Sequence, residues 1–175
     1  MRSRDERIAA VMRVVRSARR VADDPGDLVE KLVRTTGLSR EGVLLGLREH
    51  LETDATEEDA ARLVEATTEA SRVHVILSSN VFVAALRALA IAVAASPHVT
   101  VTPSSREPHF AAAIGASVVA RHDALEGEIH VYGRDATLHE VRRSTGSGSY
   151  GPSSTAGPMW TVFSARTSAG RPWST

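Results

Sequence analysis

Fifteen consecutive residues, Val81–Ala95 (VFVAALRALAIAVAA), contain neither Gly nor Pro and are apolar almost all round, with Arg87 as the one interruption. Such a run is too long for a strand and too short to cross a bilayer, so it predicts a buried helix. A strand-forming run, Val73, Val75, Ile76 and Leu77, precedes it and ends at Ser78, Ser79 and Asn80. A second, Val99, Thr100 and Val101, follows the stop signal of Ser96 and Pro97 and closes at Pro103, Ser104 and Ser105. Strand, buried helix and strand in succession make a βαβ unit, whose strands should lie parallel with a right-handed crossover. Ligands of such units sit beyond the carboxyl ends of the strands, which points to Ser78–Val81 and Thr102–Arg106. The glycine fingerprint of dinucleotide folds is absent, because the turn after the first strand reads SSNVF. Patterning alone therefore fits a ligand site and a plain structural layer equally well.

The preceding residues are helical. Ile8, Val11, Met12, Val15, Ala18 and Ala22 recur at helical spacing over residues 5–22, with Arg13, Arg16 and Arg20 on the opposite, solvated side. Asp23, Asp24, Pro25 and Gly26 break this helix, and Asp27 is placed to cap one bearing Leu28, Val29, Leu32 and Val33. Gly37 suits a helix C-terminus and Ser39 an N-cap, so Thr35–Val43 has the form of a helix-turn-helix. The helix that follows offers Val43, Leu44, Leu45, Gly46, Leu47 and Leu51 where a DNA reader needs polar side chains, so it reads as a helix to be buried. Thr56 and Asp59 approximate a capping box for a helix carrying Ala60, Leu63, Val64 and Thr67, its other side acidic and solvated.

After Pro108, residues 109–120 predict a helix packed through Phe110, Ala113, Ile114 and Val118. Glu128–Tyr132 alternates as a third strand, Gly133 turns the chain, and Asp135 caps a helix with Leu138 and Val141. The expected fold class is α/β: a helical lead-in over 1–70, a partial Rossmann-like parallel βαβαβα sheet over 71–143, and an irregular tail over 144–175. In that tail Ser, Thr, Gly and Pro supply 21 of 32 residues and Asp, Glu and Lys are absent, although both tryptophans lie there. Its composition is that of a GC-rich gene read out of frame, so a frameshifted or truncated end is expected.

The formal net charge is zero and there is no Cys, which removes a global field for nucleic acid and any disulfide, thiolate metal site or thiol nucleophile. With no leader pattern or membrane span, a cytoplasmic protein is expected. The seven histidines show no metal-ligand spacing, and His74 and His130, in strands, read as structural. Ser78, Ser79 and Ser104 lack a G-x-S-x-G frame, and Glu107 and Glu140 read as surface charges.

The strand ending in an Asn turn, the small-residue helix and the closing Val99-Thr-Val-Thr-Pro-Ser-Ser-Arg-Glu-Pro108 together resemble the cofactor-domain segment of the aldehyde dehydrogenase superfamily, with its V-x-K-P-S-x-x-x-P. Asn80–Val81 and the later Val131-Tyr-Gly-Arg-Asp135 make the chain more similar to the LuxC-type acyl-CoA reductase branch, over roughly residues 30–143. The resemblance implies covalent catalysis, in which a thiolate attacks an acyl thioester and hydride from NADPH (or NADH) reduces the acyl-enzyme. It implies that Asn80 is the oxyanion donor and that Thr102, Pro103, Ser104 and Arg106 lie at the cofactor, Ser104 against ribose or phosphate. Thr102 stands where the family has Lys, which removes a cation for the ribose or its phosphate; Arg106 is a partial substitute. The implied partners are a nucleotide cofactor and an acyl-CoA or aldehyde, with no metal.

Three functions remain open on the sequence. The first is part of an acyl-CoA reductase or aldehyde dehydrogenase-like oxidoreductase, inactive alone for want of the Cys. The second is a non-catalytic nucleotide-binding or interaction module, and the third a helix-turn-helix DNA-binding regulator.

Overall fold

The first helix, α1 (Arg4–Asp23), begins where Ser3 accepts from the Glu6 amide at 3.2 Å and Glu6 accepts from the Ser3 amide at 2.7 Å, a reciprocal capping box. The computed structural model describes residues 2–78 and 81–119, together with strand residues 129–131 and 160–164. On α1 the buried stripe is wider than the sequence spacing suggests, because Val14 and Ser17 join Val11, Val15 and Ala18. The cause is that three elements surround it: α4 (Glu57–Ala66), α5 (Ala84–Ala95) and α6 (His109–Val119) all pack on α1.

The helices α2 (Leu28–Thr36) and α3 (Arg40–Glu49) form as the sequence predicts, with two departures. Gly37 ends α2 at φ +73°, the left-handed conformation that glycine adopts without strain, and Ser39 Oγ accepts from the Gly42 amide at 3.0 Å to start α3. Asp27, however, makes no side-chain cap; its carboxylate pairs with Lys31 at 2.7 Å instead. On α3 only Val43, Gly46 and Leu47 are buried, whereas Leu45 is 54% exposed. The apolar residues of α3 outnumber the positions that one packed face can bury. The expected capping box at α4 is present, Thr56 Oγ1 accepting from Asp59 N at 3.2 Å and Asp59 from Thr56 N at 2.9 Å.

Strand β1 (Arg72–Ile76) pairs in parallel with β2 (Val99–Thr102), Val73 opposite Val99 and Ile76 opposite Thr102. Strand β3 (Ile129–Val131) adds in parallel beyond β2, and β4 (Trp160–Ser164) in parallel on the free side of β1, giving the order β3-β2-β1-β4. The chain is thus mixed α/β, mostly helical among the described residues, with a small parallel sheet. Strand β4 is a departure, since it lies inside the segment expected to be irregular. Its first four residues, Trp-Thr-Val-Phe, are strand formers that the surrounding Ser, Gly and Pro obscure in a composition count. The helix expected after Asp135 lies outside the described residues, as does the rest of 144–175.

Helix α5 starts three residues later than expected, because Val81–Val83 form a turn whose carbonyls accept from Ala84 N, Ala85 N and Leu86 N. Leu86, Leu89 and Val93 are buried, each worth roughly 1.5–3 kcal/mol by transfer from water. Arg87, the interruption in this apolar helix, is only half-buried and forms a bidentate pair with Glu52, which ties α5 to the α3–α4 connection. Residues from Ala10 to Ile114 belong to one apolar cluster that includes Val73, Val75, Val99 and Val101, so the helical lead-in and the sheet share a core.

Candidate functional site

At the carboxyl rim of the sheet β1 and β2 finish side by side, and Leu77 N donates to Thr102 O at 3.0 Å, carrying the ladder one step past β1. Ser78 is exposed here, Pro103 buried, Ser104 half-buried and Arg106 exposed. Ser104 Oγ accepts from Arg106 N at 3.2 Å, which closes the Pro-Ser corner as a local turn. Asn80, expected to be the oxyanion donor, lies outside the described residues. The structure therefore brings Thr102, Pro103, Ser104 and Arg106 to one rim with Ser78.

Thr102 is turned partly away from that rim. Its Oγ1 lies 3.2 Å from His74 Nε2, while His74 Nδ1 lies 2.6 Å from Thr100 Oγ1 on the same sheet face. Thr100 Oγ1 is in turn 3.5 Å from Val73 O, so both ring nitrogens of His74 have a hydroxyl partner, with the donor and acceptor at each set by the tautomer. His74 is 3% exposed, and its burial lowers the imidazole pKa, so it is held neutral. It is the satisfied structural histidine that its strand position predicts.

Glu107 corrects the sequence reading. It is buried at 6% exposure, and its Oε1 accepts from His109 N at 2.7 Å and Phe110 N at 2.9 Å, which caps the start of α6. An acidic residue directly before a proline at a helix start was the available signal. Beside Glu107 the loops after β1 and β2 enclose about 10 Å³, room for one water, against Ser78, Val81 and Phe82. A ligand at this rim would lie across it rather than enter a preformed pocket. At the start of α5 no side chain caps the first amides, since Val83 occupies the N-cap.

Two further features escaped sequence reasoning. Phe82 is 7% exposed, and its ring stands edge-on to Phe110, centroids 5.4 Å apart at 82°. A Cβ on Gly46 of α3 would fall 2.8 Å from Phe82 Cζ, so this helix keeps a glycine for close approach, at a propensity cost of about 1 kcal/mol. At the opposite, amino rim Arg7 donates Nε to Ala94 O at 2.6 Å and Nη2 to Val64 O at 3.2 Å and Thr67 O at 2.9 Å, and pairs with Glu69 at 3.1 Å. A depression of about 460 Å³ opens there beside Arg7, Glu69, Ser96 and His98, but the guanidinium is committed to helix-end carbonyls and Glu69. Among the described residues no cluster of His, Asp or Glu could hold a metal, and no helix is long and apolar enough to cross a membrane.

The sequence matches no protein-family model, and neither curated proteins nor solved structures give a significant match.

Proposed function

We propose that the sheet and its two flanking loops are a Rossmann-like nucleotide-binding unit of the aldehyde dehydrogenase kind, a relative of NADPH-linked (or NADH-linked) acyl-CoA reductases. The observation that carries this reading is the strand order. With all pairings parallel and β3-β2 on one side of β1 and β4 on the other, the chain changes direction at β1, the position outside which open α/β sheets take their ligands. Support also comes from the Thr102–Arg106 corner, which closes on itself through Ser104 and lies at the same rim as exposed Ser78.

In this reading nucleotide lies across the carboxyl rim, Ser104 and Arg106 touch the ribose or its phosphate, and Asn80 donates to the oxyanion of a bound acyl group. The thiolate that acyl transfer requires has no source within these residues, because the chain contains no Cys. That absence favours a binding module over a self-sufficient reductase. Titrating the purified protein with NADPH and with NADH, followed by cofactor fluorescence, tests the reading. Saturable binding without turnover of long-chain acyl-CoA is expected. No binding of either nucleotide at millimolar concentration would overturn the assignment, and turnover would overturn the inactive state.

A further inference from the structure

Gly46 is the starting point, because neither its backbone nor its place in α3 explains it. Its φ is not in the left-handed region, and it sits inside a helix, where glycine is a poor choice. What requires it is Phe82, whose Cζ and Cε1 would lie 2.8 Å and 3.2 Å from a Cβ at this position. Phe110 of α6 stands edge-on to the same ring, and the space beside it, about 10 Å³, is far smaller than a displaced phenyl ring needs. Phe82 also belongs to the turn that opens α5: its carbonyl accepts from Ala85 N at 3.2 Å, and Val81 O accepts from Ala84 N at 3.1 Å. Its side chain is thus wedged between two helices while its backbone sets where the β1 loop enters α5.

We infer that Phe82, clamped between Gly46 and Phe110, is the positioning residue of the β1–α5 loop, and that α3 is therefore the rear wall of the nucleotide rim. The step from wedge to binding rests on the function proposed above; the step from wedge to loop does not. The lead-in helices then have a role in the site, because displacing α3 by the width of a methyl group moves Ser78 and Val81, which face the rim.

Gly46→Ala and Gly42→Ala form the test, since both place the same methyl group on the same helix. At Gly42 that methyl meets only Ser39 Oγ at 3.4 Å and Leu38 Cβ at 3.7 Å, ordinary contact distances. Amide hydrogen exchange between Leu77 and Ala85 should quicken by at least about tenfold in Gly46→Ala and stay unchanged in Gly42→Ala. NADPH binding should weaken by about tenfold in Gly46→Ala alone, and the Gly46→Ala/Phe82→Leu double variant should recover most of it by returning space to the methyl group. If Gly46→Ala fails to fold, Phe82→Leu alone must quicken exchange in the same segment while leaving α2 protected. Equal exchange in the two glycine variants, or in Phe82→Leu and wild type, overturns the inference. Failure of the wild type to bind either NADPH or NADH overturns the proposed function and leaves the exchange comparison to decide this one.

Discussion

At the amino ends of β1 and β2 the structure is held by a cation, and at the carboxyl ends by two aromatic rings and a carboxylate. Arg7 reaches from α1 to the last carbonyls of α4 and α5, where the helix dipoles favour positive charge, and gives its remaining interaction to Glu69. Phe82 and Phe110 fill the other end with apolar surface, and Glu107 satisfies only the first amides of α6. The difference shows which end is finished. The amino rim is closed by a charged side chain on helix-end carbonyls, whereas at the carboxyl rim the first amides of α5 turn onto the carbonyls of Val81, Phe82 and Val83 and the side chains of Ser78 and Arg106 stay exposed.

The largest effect should come from the aromatic side. Phe110→Ala empties a fully buried site and should cost about 4 kcal/mol in urea denaturation. A loss below about 1 kcal/mol would mean that the rings do not hold the carboxyl rim. Next, Arg7→Met should cost about 3 kcal/mol, because three carbonyls and Glu69 lose a charged partner together. Arg7→Lys should recover only part of this, as one ammonium cannot reproduce the fork. Glu107→Gln keeps an acceptor but removes its charge, and about 1 kcal/mol of stability should go with it. The loss should be seen as faster exchange in the first turn of α6 and not at the amino rim.

The smallest effect concerns pH. Burial lowers the folded-state pKa of His74 below its unfolded value of about 6.5. The unfolded chain then binds more protons, so this contribution is complete above that value and is lost as pH falls through the folded-state pKa. Melting temperatures recorded from neutral to mildly acidic pH should fall less steeply in His74→Gln than in wild type. Identical slopes would show that His74 does not titrate differently in the two states.

Much of the helical order was legible because caps and breakers are local signals. Gly37, Ser39, Thr56 and Asp59 act within a few residues of where they stand, and the βαβ pattern of 73–102 follows from apolar runs alone. Asp27 misled because a carboxylate before a helix can take a lysine one turn ahead as readily as a backbone amide. Arg7 and Gly46 were not legible as site-shaping residues, since their partners lie far away in sequence, whereas Glu107 carried a local signal in the Glu-Pro pair before α6 that its surface-charge reading passed over. The parallel pairing of β1 and β2 was legible from their apolar runs, and it brings Thr102 to the rim where β1 ends, but the drawing of Thr102 onto His74 depends on side-chain direction across a sheet. Strand β4 was hidden by averaging over a tail in which its four strand-forming residues, 160–163, are a minority.

The β1–β4 pairing has a consequence for synthesis. Val73 lies opposite Thr161, 88 positions later (161 minus 73), while its other neighbour, Val99, follows after 26 (99 minus 73). At about 5–20 residues per second, the ribosome needs roughly 4–18 s to deliver that second partner. Until then β1 presents an unpaired edge to the cell, so the nascent chain is most open to mispairing with other strands or capture by chaperones in this interval.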